Sequence, residues 1–82
     1  MAGYHKREIV KGKLGELSKI QEELDELKDA DEQGCRIMAL VELADLLGAI
    51  RHYMRVHHPG FRMSDLKKMA SITGKAFEHG GR

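Results

Sequence analysis

Arg36–Tyr53, RIMALVELADLLGAIRHY, is the stretch whose reading decides the fold. From Ile37 to Ile50 nearly every residue is apolar, and only Glu42, Asp45 and Gly48 interrupt. A segment of this length that is hydrophobic almost all round reads as a buried α-helix. Two carboxylates within such a helix are costly unless something pairs with them. Glu42 and Asp45 stand three residues apart, so they point from the same side. Their natural counterpart is upstream, in Glu22, Glu23 and Glu26. The expectation is that two acidic helix faces meet around a divalent cation.

The upstream helix spans about Glu16 to Ala30. Leu17, Ile20, Leu24 and Leu27 form a narrow apolar stripe at helical spacing. Glu22, Glu23, Asp25, Glu26 and Asp29 fill much of the remainder. Glu22 and Glu26, four apart, repel each other without a cation, and Lys19 relieves them only in part. Asp29–Gly34, DADEQG, reads as the turn, with Asp31 as a cap and Gly34 as the breaker. A short connection makes the two helices antiparallel neighbours. With the midpoint near Gln33, the pair Glu23/Glu26 and the pair Glu42/Asp45 fall at similar height, at about 1.5 Å of rise per residue.

The second helix runs from about Cys35 to Val56. His57-His58-Pro59-Gly60 ends it, because Pro59 disfavours helical geometry at His58. Two histidines at a helix C-terminus are also favoured by the macrodipole. A third helix starts near Ser64, read as its N-cap, with Asp65 in the first turn. Leu66, Met69, Ala70 and Ile72 give it a stripe, which Ala76 and Phe77 extend. Residues 1–13 show no helical period, and Gly12 and Gly15 weaken a helix there, so an extended or flexible arm is expected. The fold class is therefore all-α: an arm over 1–13, then one helical domain over 14–82 built as an antiparallel hairpin plus a third helix.

With 82 residues the chain has room for one small domain. Domains this short often gain stability from disulfides, metal or self-association. Cys35 is the only cysteine, which excludes an internal disulfide and fits a reducing cytoplasm. Metal and oligomerisation remain. No leader pattern or membrane-length apolar run is present, so a soluble cytoplasmic protein without a membrane partner is expected. Net charge is only +1, from 14 Lys and Arg against 13 Asp and Glu, but it is unevenly placed. Glu16–Glu32 is acidic and the region from Arg51 onward is basic. The dense acidic helix argues against a phosphate-backbone binder, so nucleic acid is not an expected partner. Acid for metal beside base for phosphate is what a nucleotide site needs.

The pattern is E-E-x-x-E at Glu22, Glu23 and Glu26, then fifteen residues, then E-x-x-D at Glu42 and Asp45. Hard oxygen ligands in this number suit Mg²⁺ or Mn²⁺. Four carboxylates overcharge one such ion, which implies a second ion or a metal-loaded phosphate substrate. The bland alternative for Glu42 and Asp45 is an internal salt bridge to Lys19, Lys28, Arg36 or Arg51.

Glu23-x-x-Glu26 followed by Glu42-x-x-Asp45 resembles the signature of the MazG-like, all-α nucleoside triphosphate pyrophosphohydrolases. The resemblance covers roughly residues 14–53. The segment HHPGFRMSDLKKMASITGKAF looks similar to short members of phage type. This implies a homodimer or homotetramer with a four-helix core. It also implies cleavage of a nucleoside triphosphate between its α and β phosphates, giving the monophosphate and pyrophosphate. The positions matching Glu23, Glu26, Glu42 and Asp45 bind Mg²⁺ in that family. Glu22 matches an additional acidic position that holds a second ion or orients water. A spare carboxylate would serve as general base, Glu22 first and Glu26 next. Arg51, Arg55, Lys67, Lys68 and Lys75 are the candidates for holding phosphates, with Lys75 favoured. His52, seven residues after Asp45, is the histidine on the face of the acidic pair. Tyr53, Phe61 and Phe77 are the aromatics available to a base, although Phe77 is expected in the core. Two other readings use the same residues: a phosphoribosyl-ATP pyrophosphohydrolase, and a non-catalytic acidic helical module that docks on a basic partner.

Overall fold

The computed structural model describes residues 5–80. Three helices follow one another: α1, Leu17–Glu32; α2, Arg36–His57; and α3, Met63–Glu78. There is no strand among the described residues. α1 and α2 pack along one another, and α3 makes no comparable packing with either. A side chain at Gly15 would meet Val56, so the start of α1 lies beside the end of α2, as an antiparallel hairpin requires.

The helix ends differ from expectation in detail. α1 runs through Asp31 to Glu32, so Asp31 is helical and its carbonyl accepts the Gly34 N–H at 3.0 Å. The connection is only Gln33 to Cys35. Gly34 turns it with φ +71°, a left-handed conformation that costs glycine nothing. α2 ends where Pro59 dictates, with the His58 N–H on the Met54 carbonyl at 2.7 Å. α3 begins before Ser64. Its N-cap is Arg62, whose backbone N–H donates to Asp65 Oδ2 at 2.9 Å. Asp65 at the third helical position takes over the role expected of Ser64, because its longer reach closes the turn from inside.

The interior corrects a larger expectation. The fully buried apolar residues are small ones, Ala30 and Ala49, while the buried charged residues are Glu22, Glu23, Glu26, Asp29 and Glu42. At roughly 100° per residue, the Leu17–Leu27 stripe of α1 lies on the side opposite Glu22, Glu26 and Asp29. The hairpin turns the acidic side inward. Leu17 and Leu24 are therefore exposed, and so are Ile37, Leu40, Val41, Leu43 and Leu47 of α2. The helix read as buried is covered on one side only within a single chain. Phe77, expected in the core, is also exposed, on an α3 whose Met69 and Ile72 have nothing over them.

Residues 5–13 contain no helix or strand. They lie antiparallel along α1 through a series of contacts. Lys13 N–H donates to Ser18 Oγ at 3.0 Å, Gly12 N–H to Glu22 Oε1 at 2.8 Å, and Lys6 N–H to Asp29 Oδ2 at 3.3 Å. Arg7 pairs with Glu32 near the far end of the helix. Residues 1–4 of the expected arm and 81–82 of the expected domain lie outside the described residues.

Candidate metal centre

The spacing of three along α1 puts Glu23 and Glu26 on one side, and the same spacing along α2 does so for Glu42 and Asp45. The antiparallel hairpin brings the two pairs together. One oxygen from each of Glu23, Glu26, Glu42 and Asp45 lies within 4.8 Å of the others. Ligands about 2.1 Å from a Mg²⁺ ion stand about 4.2 Å apart when opposite, so the cluster needs little adjustment to close on an ion. The first three residues are buried and Asp45 is exposed. The cluster therefore opens to solvent at the Asp45 edge.

The electrostatics are those of a site short of positive charge. Burial, the hydrogen bond to Glu26, and the charges of Glu26 and Asp45 push the Glu23 carboxyl up to about 7, against the pull of Lys19. Lys19 Nζ reaches only to 4.0 Å from Glu23. Burial and then the charge of Asp45 raise Glu42 in the same way. Glu42 Oε1 is buried and has no hydrogen-bond partner among the described residues. An orphaned carboxylate oxygen inside a cluster of four carboxylates is costly as it stands, and it fits a hard divalent cation. None of Lys19, Lys28, Arg36 or Arg51 forms an ion pair with Glu42 or Asp45 among the described residues.

Glu22 stands apart from the four. Its Oε1 accepts the Gly12 N–H and lies 3.2 Å from Lys19 Nζ, and its Oε2 lies 3.7 Å from Lys11 Nζ. Burial alone would raise it, but the Gly12 hydrogen bond and the two lysines hold it below the usual carboxylate range. Glu26 belongs to the cluster. Of the two carboxylates read as candidates for a proton-transfer role, the structure brings one among the prospective ligands and ties the other to the arm.

A histidine joins the site that the sequence reading passed over. His5 Nδ1 lies 2.8 Å from Asp29 Oδ2, and its Nε2 lies 3.4 Å from Glu42 Oε2 and 3.9 Å from Glu26 Oε1. No local pattern marks it, since its partners are 21 to 37 residues away along the chain. The only signal was a short arm ahead of an acidic helix, long enough to fold back over it.

Comparison with protein families, with curated proteins and with solved structures finds no match for this chain. What can be said of the site rests on its own geometry.

The basic residues lie elsewhere. Arg51, Arg55 and Lys67, with Arg62, line a recess of about 550 Å³ between α2 and the start of α3. At roughly 100° per residue, Arg51 sits half a turn around α2 from Glu42. The recess and the carboxylates thus lie on opposite sides of that helix within one chain. Lys68 and Lys75 are exposed on α3 and are not part of the recess lining. His52 is half-buried on α2. Phe61 lines both this recess and an adjoining apolar groove that also includes Tyr53, Leu66 and Met69. No helix among the described residues is long and apolar enough to cross a membrane.

Proposed function

We propose that this chain is a divalent-cation-dependent nucleoside triphosphate pyrophosphohydrolase of the MazG-like kind. The observation that carries the reading is the convergence of Glu23, Glu26, Glu42 and Asp45 from two antiparallel helices, with Glu42 Oε1 buried and unpaired. Burial of this much like charge is hard to account for unless a cation is the intended occupant. Glu23, Glu26, Glu42 and Asp45 would hold Mg²⁺ or Mn²⁺. When bound, the ion supplies positive charge against the negative charge of the triphosphate and of the reaction's transition state.

The chain's own residues have separable tasks in this reading. Asp45, at the open edge, faces incoming substrate. Glu26, the second candidate for taking a proton from the attacking water, is among the ligands, so it would do so only through an oxygen not committed to the ion. Glu22 holds the arm and Lys19 in place. Arg51, Arg55 and Lys67 have the charge to hold phosphates, and they meet the carboxylates only if a second copy brings its own recess alongside. The exposed leucines of α1 and α2 supply the surface for such a homodimer or homotetramer.

The test is to incubate the pure chain with Mg²⁺ or Mn²⁺ and a panel of ribo- and deoxynucleoside triphosphates, with phosphoribosyl-ATP included. Pyrophosphate and the matching monophosphate are the expected products. Bound cation, measured by calorimetry, together with no pyrophosphate from any member of the panel would overturn the reading. Release from phosphoribosyl-ATP alone would narrow the substrate to that compound.

A further inference from the structure

His5 is enclosed by the acidic interior, its side chain only 5% exposed. The ring is oriented at both ends. Nδ1 faces Asp29 Oδ2 at 2.8 Å, and Nε2 faces Glu42 and Glu26. Nε2 and one oxygen from each of those two glutamates lie within 4.8 Å of one another. Those separations suit ligands of one ion at about 2.0–2.2 Å. Asp29 does what a carboxylate behind a metal-bound histidine does. A proton on Nδ1 donated to Asp29 would leave the Nε2 lone pair facing the carboxylates, as a cation there requires. Asp29 is itself fixed, 2% exposed and accepting from Gln33 Nε2 at 2.8 Å and from the Lys6 N–H. Glu42 Oε1, the oxygen other than the one 3.4 Å from His5, is buried without a hydrogen-bond partner among the described residues, a second sign that this carboxylate is built to meet a ligand.

We propose that the N-terminal arm delivers His5 as a nitrogen ligand to a cation shared with Glu26 and Glu42, a mixed imidazole–carboxylate position beside the all-oxygen one of Glu23 and Asp45. Imidazole favours Co²⁺, Zn²⁺, Fe²⁺ and Ni²⁺ over Mg²⁺. The arm therefore shifts the site's preference toward transition ions. This deepens the cation-binding part of the proposed function and rests on that part alone, not on hydrolysis.

The experiment titrates the intact chain with Co²⁺ alone, followed by visible absorption and by the paramagnetically shifted proton spectrum. The expected result is an exchangeable, strongly shifted imidazole N–H, the Nδ1 proton held by Asp29. It should be lost in His5→Gln and kept in His52→Gln and His57→Gln. His5→Gln should weaken Co²⁺ by about tenfold or more and Mg²⁺ by less than about twofold, and Asp29→Asn should weaken Co²⁺ by a similar factor. Co²⁺ bound to the wild-type chain with no shifted imidazole N–H would overturn the proposal, and that measurement needs no variant to fold. So would failure to bind Co²⁺, or the same signal persisting in His5→Gln. In the first of these cases His5 anchors the arm to α1 and is not a ligand. Oxygen-only ligation with pyrophosphate release would leave the hydrolase reading standing. Nitrogen ligation without pyrophosphate release would remove the hydrolase and leave this site.

Discussion

Gly12 donates its backbone N–H to Glu22 Oε1 across 2.8 Å, and no side chain fits where Gly12 sits. A Cβ there would overlap the Ser18 carbonyl and lie 2.5 Å from the Lys19 nitrogen, both of them backbone. The contact ties the arm to a buried carboxylate.

Gly12→Ala should therefore lift the arm. The lost bond to a buried charged acceptor is worth about 1–3 kcal/mol, or a fall in Tm of roughly 5–15 °C for a domain of this size. Timed trypsin digestion should show faster cutting after Arg7, Lys11 and Lys13. Cutting at the wild-type rate would mean the arm is not held by this contact.

Glu42→Gln removes a charge from a buried carboxylate that has one oxygen without a hydrogen-bond partner among the described residues. Without divalent ions the variant should be more stable than the parent, by about 1 kcal/mol. It should also lose most of the Tm increase that Mg²⁺ or Mn²⁺ gives the wild type. Thermal melts with and without the ion check both. An unchanged response to ion in the variant would count against Glu42 as a ligand.

The cluster sets a pH dependence of defined sign. Glu23, raised to about 7, and Glu42, raised likewise, keep protons in the folded chain that the unfolded chain has released. The Glu23 contribution to stability is full below the ordinary value of 4.5 and is lost as pH rises through about 7, and that of Glu42 is lost as pH rises through its own raised value. Glu22 and Asp29, both lowered, act oppositely: their contribution is present above their ordinary values and lost as pH falls through the lowered ones. The ion-free chain should therefore be most stable at about pH 5 and weaken toward about pH 8. Mg²⁺ competes with the proton, so its apparent affinity should rise over the same interval. Denaturant titrations in chelator and in Mg²⁺ at several pH values read both trends.

Ile37 is 76% exposed and Leu40 is 67% exposed, on a helix otherwise built for a core. The wild type should run as an assembly well above the 9.3 kDa of one chain, and Leu40→Glu should shift it toward the monomer. Light scattering on eluting protein measures this. A monomeric wild type at micromolar concentration would remove the second copy from the proposal.

Arg51 and Glu42 lie on opposite sides of α2, so a site using both needs two chains. Arg51→Ala should raise the KM for a triphosphate about tenfold, one lost charged hydrogen bond, with cation affinity unaltered. Mixing inactive Glu42→Gln chains with Arg51→Ala chains should restore part of the low-KM activity. No recovery on mixing would place any phosphate-binding role of Arg51 outside a shared site.

Much of this architecture was readable because its signals are local. The punctuation at Gly34 and at Pro59 bounds α2, and spacings of three put Glu23 with Glu26 and Glu42 with Asp45. The short turn then sets the register that lets the pairs meet. Cap positions slipped by a residue or two, since Ser64 and Asp65 compete for one turn and the side chain that closes it decides.

The sequence by itself determined three helices, their order, and which carboxylates can share a height, because helical period and turn chemistry act over a few residues. Only the tertiary structure decided which side of each helix faces inward. Hydrophobicity alone favours the leucines, yet the hairpin encloses the glutamates, and a chain this small cannot bury both sides of two helices at once. The structure alone also placed His5, whose position depends on an arm folding back over α1 and on no pattern within the arm.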